Sequence, residues 1–172
     1  GRIVQRMEPC LVPQDSPIGA VEGVFNAVFV EGDFVRKSLL VGRGAGGGPT
    51  ASAVLSDLID LARGAAIPVY GVPAAALQDA VWGGAEDITA HFYIHMCVLD
   101  KPGVLADVAA IVRDHKISVE AVMQRGRDPD QPVSIVVTTH ESRQSDVEAA
   151  CRRIAALELM VEKPTVMRIE KF

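Results

Sequence analysis

The sequence predicts an α+β protein in two parts, and three observations carry that reading. Phe92, Ile94, Met96 and Val98 alternate with His91, Tyr93, His95 and Cys97, the period of a strand with one buried face. Asp100-Lys101-Pro102-Gly103 then breaks that strand, and helical spacing begins at Val104. The rest of the C-terminal half continues as strand, strand, helix, strand. Residues 89–172 therefore read as βαββαβ. Two helices on one face of a four-stranded antiparallel sheet, the ferredoxin-like arrangement, satisfy that order. Residues 1–63 predict a segment of mixed sheet with one helix, and residues 64–88 a linker.

In the first part, Ile3–Leu11 reads as an extended segment ended by Pro13. Val24–Val30 and Phe34–Val41 are β-type runs joined by Glu31-Gly32-Asp33, the signature of a hairpin. Pro49 suits the first turn of a helix carrying Ala53, Val54, Leu58, Ile59 and Leu61, and Gly64 suits its stop. The linker holds Pro68, Gly71, Pro73, Gly83 and Gly84, with a short helix expected over Ala74–Val81. Trp82, the single tryptophan, is expected to pin it to a neighbour.

In the second part, Val104, Leu105, Val108, Ile111 and Val112 make the inner stripe of the first helix. Ile117–Gln124 and Val133–Thr139 are the next two strands, with Asp128-Pro129-Asp130 in their turn. Val147, Ala150, Cys151, Ile154 and Leu157 line a helix from about Ser145 to Leu157, which Ser142 or Ser145 could cap. Val166–Ile169 is the last strand.

Composition narrows the function. Apolar residues make up 49% of 172, enough for a core, and the net charge of −5 comes without any basic block, so nucleic acid is a poor partner. No run of 18 apolar residues marks a membrane span. No signal peptide pattern opens the chain, and Cys10, Cys97 and Cys151 are too scattered for a disulfide framework or a metal knuckle, so a cytoplasmic protein is expected. Gly1-Arg2-Ile3-Val4 enters strand-like sequence without an initiator Met, which predicts a piece of a longer protein.

The strand-to-helix turn is the most informative chemical motif. A helix opening directly after Pro102-Gly103 leaves backbone N–H groups free to hold a carboxylate, and Asp100 beside it can hold an ammonium. Equally, Asp100 could cap the helix and Pro-Gly could simply turn. Gly42-Arg43-Gly44-Ala45-Gly46-Gly47-Gly48 precedes the other helix. It lacks the Gly-Lys-Ser/Thr ending of a phosphate-binding loop and the register of a dinucleotide fingerprint. Spacing alone leaves both a phosphate cradle and a tight flexible loop open. His91 and His95 stand four residues apart, but on a strand that is roughly 13 Å, too far to share a metal. No metal site and no catalytic residue are predicted in these residues.

Longer strings are more specific. Gly42-x-Gly44-Ala45-Gly46-x-x-Pro49-Thr50-Ala51-Ser52-Ala53-Val54, followed by Asp57-Leu58, is similar to the last segment of the homoserine dehydrogenase catalytic domain. Leu11-Val12-Pro13 and Gly23-Val24-Phe25-Asn26-Ala27-Val28 resemble that family's inner-sheet segments. The βαββαβ unit with its Pro-Gly turn resembles the ACT domain, and it stands where many bacterial homoserine dehydrogenases carry a regulatory domain. The resemblance implies an NAD- or NADP-dependent oxidoreductase interconverting homoserine and aspartate semialdehyde. It places Gly46 against the nicotinamide cofactor, where the backbone must approach closely. It also places the family's dinucleotide fold, catalytic lysine and substrate-binding acids before the region matching Gly1. The fragment alone is therefore expected to be inactive and to hold no cofactor tightly.

For the ACT-like unit the resemblance implies an amino-acid effector, with threonine expected. Asp100 and the backbone at Gly103, Val104 and Leu105 are the binding candidates, and Ser118 and Gln124 are candidates for a polar side chain of the ligand. A homo-oligomer through ACT or sheet contacts is expected. Two other readings stay open: a free-standing amino-acid regulator, and a dimerisation module whose turn binds nothing.

Overall fold

A computed structural model describes residues 2–65, 71–125 and 131–172. It divides into two compact units, Gly1–Val12 with Val81–Lys171, and Pro13–Ala80 with Phe172.

The larger unit is built on β4 (Thr89–Leu99), which pairs antiparallel with β6 (Pro132–Thr139) on one side and β8 (Thr165–Ile169) on the other. β5 (Val119–Arg125) lies outside β6, and β7 (Ser142–Arg143) pairs with the start of β4. The strand order β8-β4-β6-β5 with helices α2 (Val104–Asp114) and α3 (Gln144–Ile154) between strands is the predicted βαββαβ architecture. The alternation along β4 holds: Phe92, Ile94, Met96 and Val98 are buried and their neighbours half-buried. They meet Ile135 and Val137 of β6, Val108, Ile111 and Val112 of α2, and Val147, Ala150 and Ile154 of α3 in one core. Each large aliphatic side chain so buried contributes roughly 1.5–3 kcal/mol.

Four details differ from the sequence expectation. First, residues 2–12 do not stay with the hairpin that follows them. β1 (Cys10–Leu11) adds to β8 in parallel, and the Glu170 N–H donates to the Leu11 carbonyl at 2.9 Å. The Ile3 N–H donates to Val81 and the Gly83 N–H to Ile3, so the backbone beside Trp82 is pinned while the ring itself stays exposed. Second, the short helix over residues 74–81 shrinks to one 3₁₀ turn, Ala74–Ala76, because three alanines bring no apolar stripe to bury. Third, β5 starts two residues late, since Lys116 adopts a left-handed φ of 58° and Ile117 is buried before the ladder begins. Fourth, neither serine caps α3. Its N-cap is Arg143 without a side-chain bond, and the Ser142 hydroxyl donates instead to the His140 carbonyl at 3.0 Å. The Asp128-Pro129-Asp130 turn lies outside the described residues.

In the smaller unit, β2 (Phe25–Gly32) and β3 (Arg36–Arg43) form the predicted antiparallel hairpin, from Phe25 opposite Arg43 to Gly32 opposite Arg36. Helix α1 (Gly47–Ala62) follows and ends at Arg63, with Gly64 in a left-handed conformation. α1 buries none of its residues, and Val54, Leu58 and Leu61 are more than half exposed.

Cys151 shows the energetics of the core. Burial against α2 and the sheet raises its thiol to about 11 from 9.0. The folded state therefore keeps the thiol protonated, and its stability is complete below pH 9. It declines as the pH rises toward 11, because the unfolded chain then gains a thiolate that the fold disfavours. Chemical denaturation at stepped pH should show wild type losing roughly 2–3 kcal/mol relative to Cys151→Ala across that window. Parallel pH profiles of the two proteins would refute the assignment.

Candidate functional site

The strand-to-helix turn forms a real concavity. The end of β4 and the N-terminus of α2 enclose a pocket of about 170 Å³. Val98, Val104, Val133 and Ile135 are its buried floor, and Asp100, Leu105 and Gln124 stand at its edge. Gly103 is the N-cap of α2, with φ 103° and no side-chain cap, so Asp100 is not spent on capping the helix. The Asp107 N–H bonds back to the Gly103 carbonyl at 2.9 Å, and the Val104 N–H reaches the Lys101 carbonyl at 3.4 Å. The remaining first-turn N–H groups are those for which a helix offers no internal acceptor. The positive end of the α2 dipole thus faces a small apolar pocket with a half-buried carboxylate at its lip.

Gln124 arrives from a distant part of the sequence by register. It pairs with Ile135, which in turn lies one step from Val133 beside the end of β4, so its position on the edge strand is next to the turn. Ser118 does not come with it. Ser118 precedes β5, its carbonyl accepts from the His140 N–H at 2.8 Å, and its side chain is exposed. Six residues of strand separate it from Gln124, roughly 20 Å. The structure therefore gathers Asp100, Gly103, Val104, Leu105 and Gln124, and leaves Ser118 at the opposite end of the sheet. The floor residues Val133 and Ile135 were not singled out from sequence, where they read simply as strand core.

Gly46 lies in the other unit, at the N-cap of α1, with φ 122° and ψ 149°. That backbone conformation is essentially glycine's alone. Gly44 packs so closely on the Asn26 side chain that a Cβ there would collide with it. The two glycines thus shape a loop whose exposed backbone leads into a helix N-terminus. A Cβ on Gly46 would meet only Pro49, with Cδ at 3.4 Å.

The histidines of β4 have ordinary partners. His91 Nδ1 lies 3.0 Å from the Thr139 carbonyl and His95 Nε2 lies 2.7 Å from the Ser134 hydroxyl. Among the described residues no group of three or more His, Cys, Asp or Glu side chains is placed to hold a metal. No described helix is long and apolar enough to cross a membrane.

The βαββαβ sheet with a pocket at its first strand–helix turn is of the ACT class: residues 93–159 match the ACT domain. Residues 1–59 match the homoserine dehydrogenase family. Homoserine dehydrogenase of Neisseria gonorrhoeae is 37% identical over 96% of this chain, and that of Synechocystis 35% identical over 95%. A crystal structure of homoserine dehydrogenase from Thiobacillus denitrificans superposes on 98% of the chain with a TM-score of 0.84 at 36% identity. The chain belongs to the homoserine dehydrogenase family, as a C-terminal part that carries an ACT domain. It spans 39% of the length of each of these relatives.

The two glycine positions make a direct test of this geometry. Gly46→Ala and Gly103→Ala should each cost about 1–3 kcal/mol of stability, read by denaturant unfolding, because both force a side chain onto a left-handed or glycine-only backbone. Gly47→Ala, with open space at its Cβ and no positive φ, should cost much less.

Proposed function

We propose that this chain is the regulatory end of a homoserine dehydrogenase and that it senses L-threonine. The observation that carries this reading is the meeting of Asp100, the α2 N-terminus and Gln124 around one small pocket, in a chain of this family. Asp100 takes the ligand's ammonium, the backbone at Gly103–Leu105 takes its carboxylate, and the Gln124 amide bonds its hydroxyl. The apolar floor receives the methyl group. Ser118 has no part in the site. Occupancy of the pocket biases the catalytic part through a coupling of about 1–3 kcal/mol, the usual size for such linkage. β1 offers a covalent route, because the chain leaves the regulatory sheet at Val12 and enters the hairpin unit at Pro13.

In the whole enzyme, NAD or NADP supplies the hydride acceptor or donor for interconversion of homoserine and aspartate semialdehyde. Gly46 brings bare backbone against the cofactor, and the shape of the Gly44–Gly46 loop supports that role. The exposed apolar residues of α1 and the hairpin are what a segment of a larger core presents, and the relatives' greater length fits such a core. Lys37 lies in β3 and Lys101 in the sensor turn, so neither stands where a catalytic proton carrier is expected. A cytoplasmic setting is part of the reading and agrees with three free cysteines.

Association through β5 completes the proposal. Among the described residues β5 is one edge of the sheet, with Val122 52% and Met123 51% exposed, and such an edge is a template for a second copy's strand. Pairing there would bring two Gln124 side chains close to the interface.

Isothermal calorimetry with L-threonine, against L-isoleucine, L-methionine and L-serine, tests the sensor. Saturable threonine binding should disappear in Asp100→Ala, weaken in Gln124→Ala and persist in Ser118→Ala. A folded, ligand-independent dimer that gives no heat and no thermal shift with any of the four would favour a plain assembly module instead. Separately, the purified chain with homoserine and NAD or NADP should produce no reduced cofactor; measurable turnover would overturn the division of labour proposed here.

A further inference from the structure

In the smaller unit one side chain fills the corner where the hairpin gives way to the glycine loop. Asn26 of β2 stands opposite Gly42 of β3, and Gly44, two residues further along the partner strand, is its diagonal neighbour. A Cβ at Gly42 would meet nothing within 4 Å, whereas one at Gly44 would overlap Nδ2 and Cγ of Asn26. The Asn26 carboxamide therefore lies against the bare Gly44 backbone. The neighbouring pair points to the other face of the hairpin, where the Arg43 guanidinium lies 5.5 Å from the centre of the Phe25 ring.

Only Ala45 separates Gly44 from Gly46. Gly46 is held from its far side by α1, since its carbonyl accepts from the Thr50 N–H at 3.1 Å. From its near side it is placed by wherever the hairpin releases Gly44. The Gly44 N–H does donate to the Val24 carbonyl, but at 3.4 Å, which is long for such a bond. A glycine held so loosely by its backbone has the widest choice of φ and ψ of any residue. The carboxamide packed on it is the restraint that narrows this choice.

We infer that Asn26 is a positioning residue for hydride transfer in the whole enzyme. Its carboxamide fixes Gly44, Gly44 and α1 together fix Gly46, and Gly46 presents bare backbone to the nicotinamide. This rests on the reading of Gly46 as the residue against the cofactor. The role is one of shape. A planar group of this size fills the space that a Cβ on Gly44 would take, and a shorter side chain leaves that space empty. The role is independent of the Pro102-Gly103 turn and stands whether or not the turn binds threonine.

The test uses the whole enzyme carrying this chain, with steady-state kinetics and the fluorescence of bound NADH and NADPH, whose emitting group is the nicotinamide. Asn26 is exposed, so its variants should fold. Asn26→Ala should lower kcat by roughly ten- to a hundredfold, the scale of a misplacement of about an ångström, with the KM for homoserine near wild type. The emission of the bound reduced cofactor at saturation should change in the same variant. Asn26→Asp keeps the planar group and its size, and should stay near wild type in both readouts. Gly44→Ala should lose at least as much as Asn26→Ala, and the two losses should not add in the double variant, where the colliding group is gone. Wild-type kcat or unchanged bound emission in Asn26→Ala, an equal loss in Asn26→Asp, or additive losses in the pair would each overturn the inference. Gly46→Ala separates the two readings. Wild-type kcat and emission there would overturn the role of Gly46 and that of Asn26 with it, whereas a loss there with none in Asn26→Ala would overturn the role of Asn26 alone.

Discussion

The double pairing of β4 is the constraint on which the ACT unit depends. A strand bonded on both edges has its register fixed by β6 and β8 at once, and slipping it by one residue would turn Phe92, Ile94, Met96 and Val98 out of the core. That register fixes where the strand ends. Because it ends at Leu99, the Pro102-Gly103 break falls at the rim of the sheet, and α2 must start with its N-terminus over Val98, Val133 and Ile135. The pocket is therefore a consequence of sheet geometry plus one glycine. Gly103 turns the chain through a left-handed φ that lets the helix begin after only four intervening residues.

How much of this was legible in the sequence depended on how far apart the partners lie. β4, α2, β6 and α3 announce themselves through local periodicity, because each buries one face against its neighbours. The turn announced itself through Pro102-Gly103. By contrast, β1 is two residues long and pairs in parallel with a strand 158 residues away, Cys10 opposite Arg168. No period exists in two residues, and the preceding stretch is held by backbone bonds to the region around Trp82 and by ion pairs of Arg2 with Asp87 and Glu8 with Arg168. Only a register in three dimensions reveals it.

The candidate site divides along the same line. Asp100 and Gly103–Leu105 are contiguous, so sequence alone could group them. Gln124 and Ser118 were grouped with them only as members of one strand, and a strand has two ends. The antiparallel ladder carries Gln124 to the turn through Ile135 and leaves Ser118 beside His140. Polar residues on an edge strand look alike in sequence, and only the ladder separates them.

The segment 2–12 gives the two units unequal standing. By family it belongs with the hairpin and α1, since the homoserine dehydrogenase match runs over residues 1–59. By packing it belongs to the ACT sheet, where β1 extends the strand order beyond β8. A tether between independent modules would run through solvent and transmit little. Here the chain is first built into the ACT sheet and passes to the other unit at Pro13. β8 is bonded to β4, and β4 ends at the Pro102-Gly103 turn. A continuous hydrogen-bonded ladder thus runs from β4 through β8 to β1 and ends one residue before Val12, the last residue of this unit before Pro13.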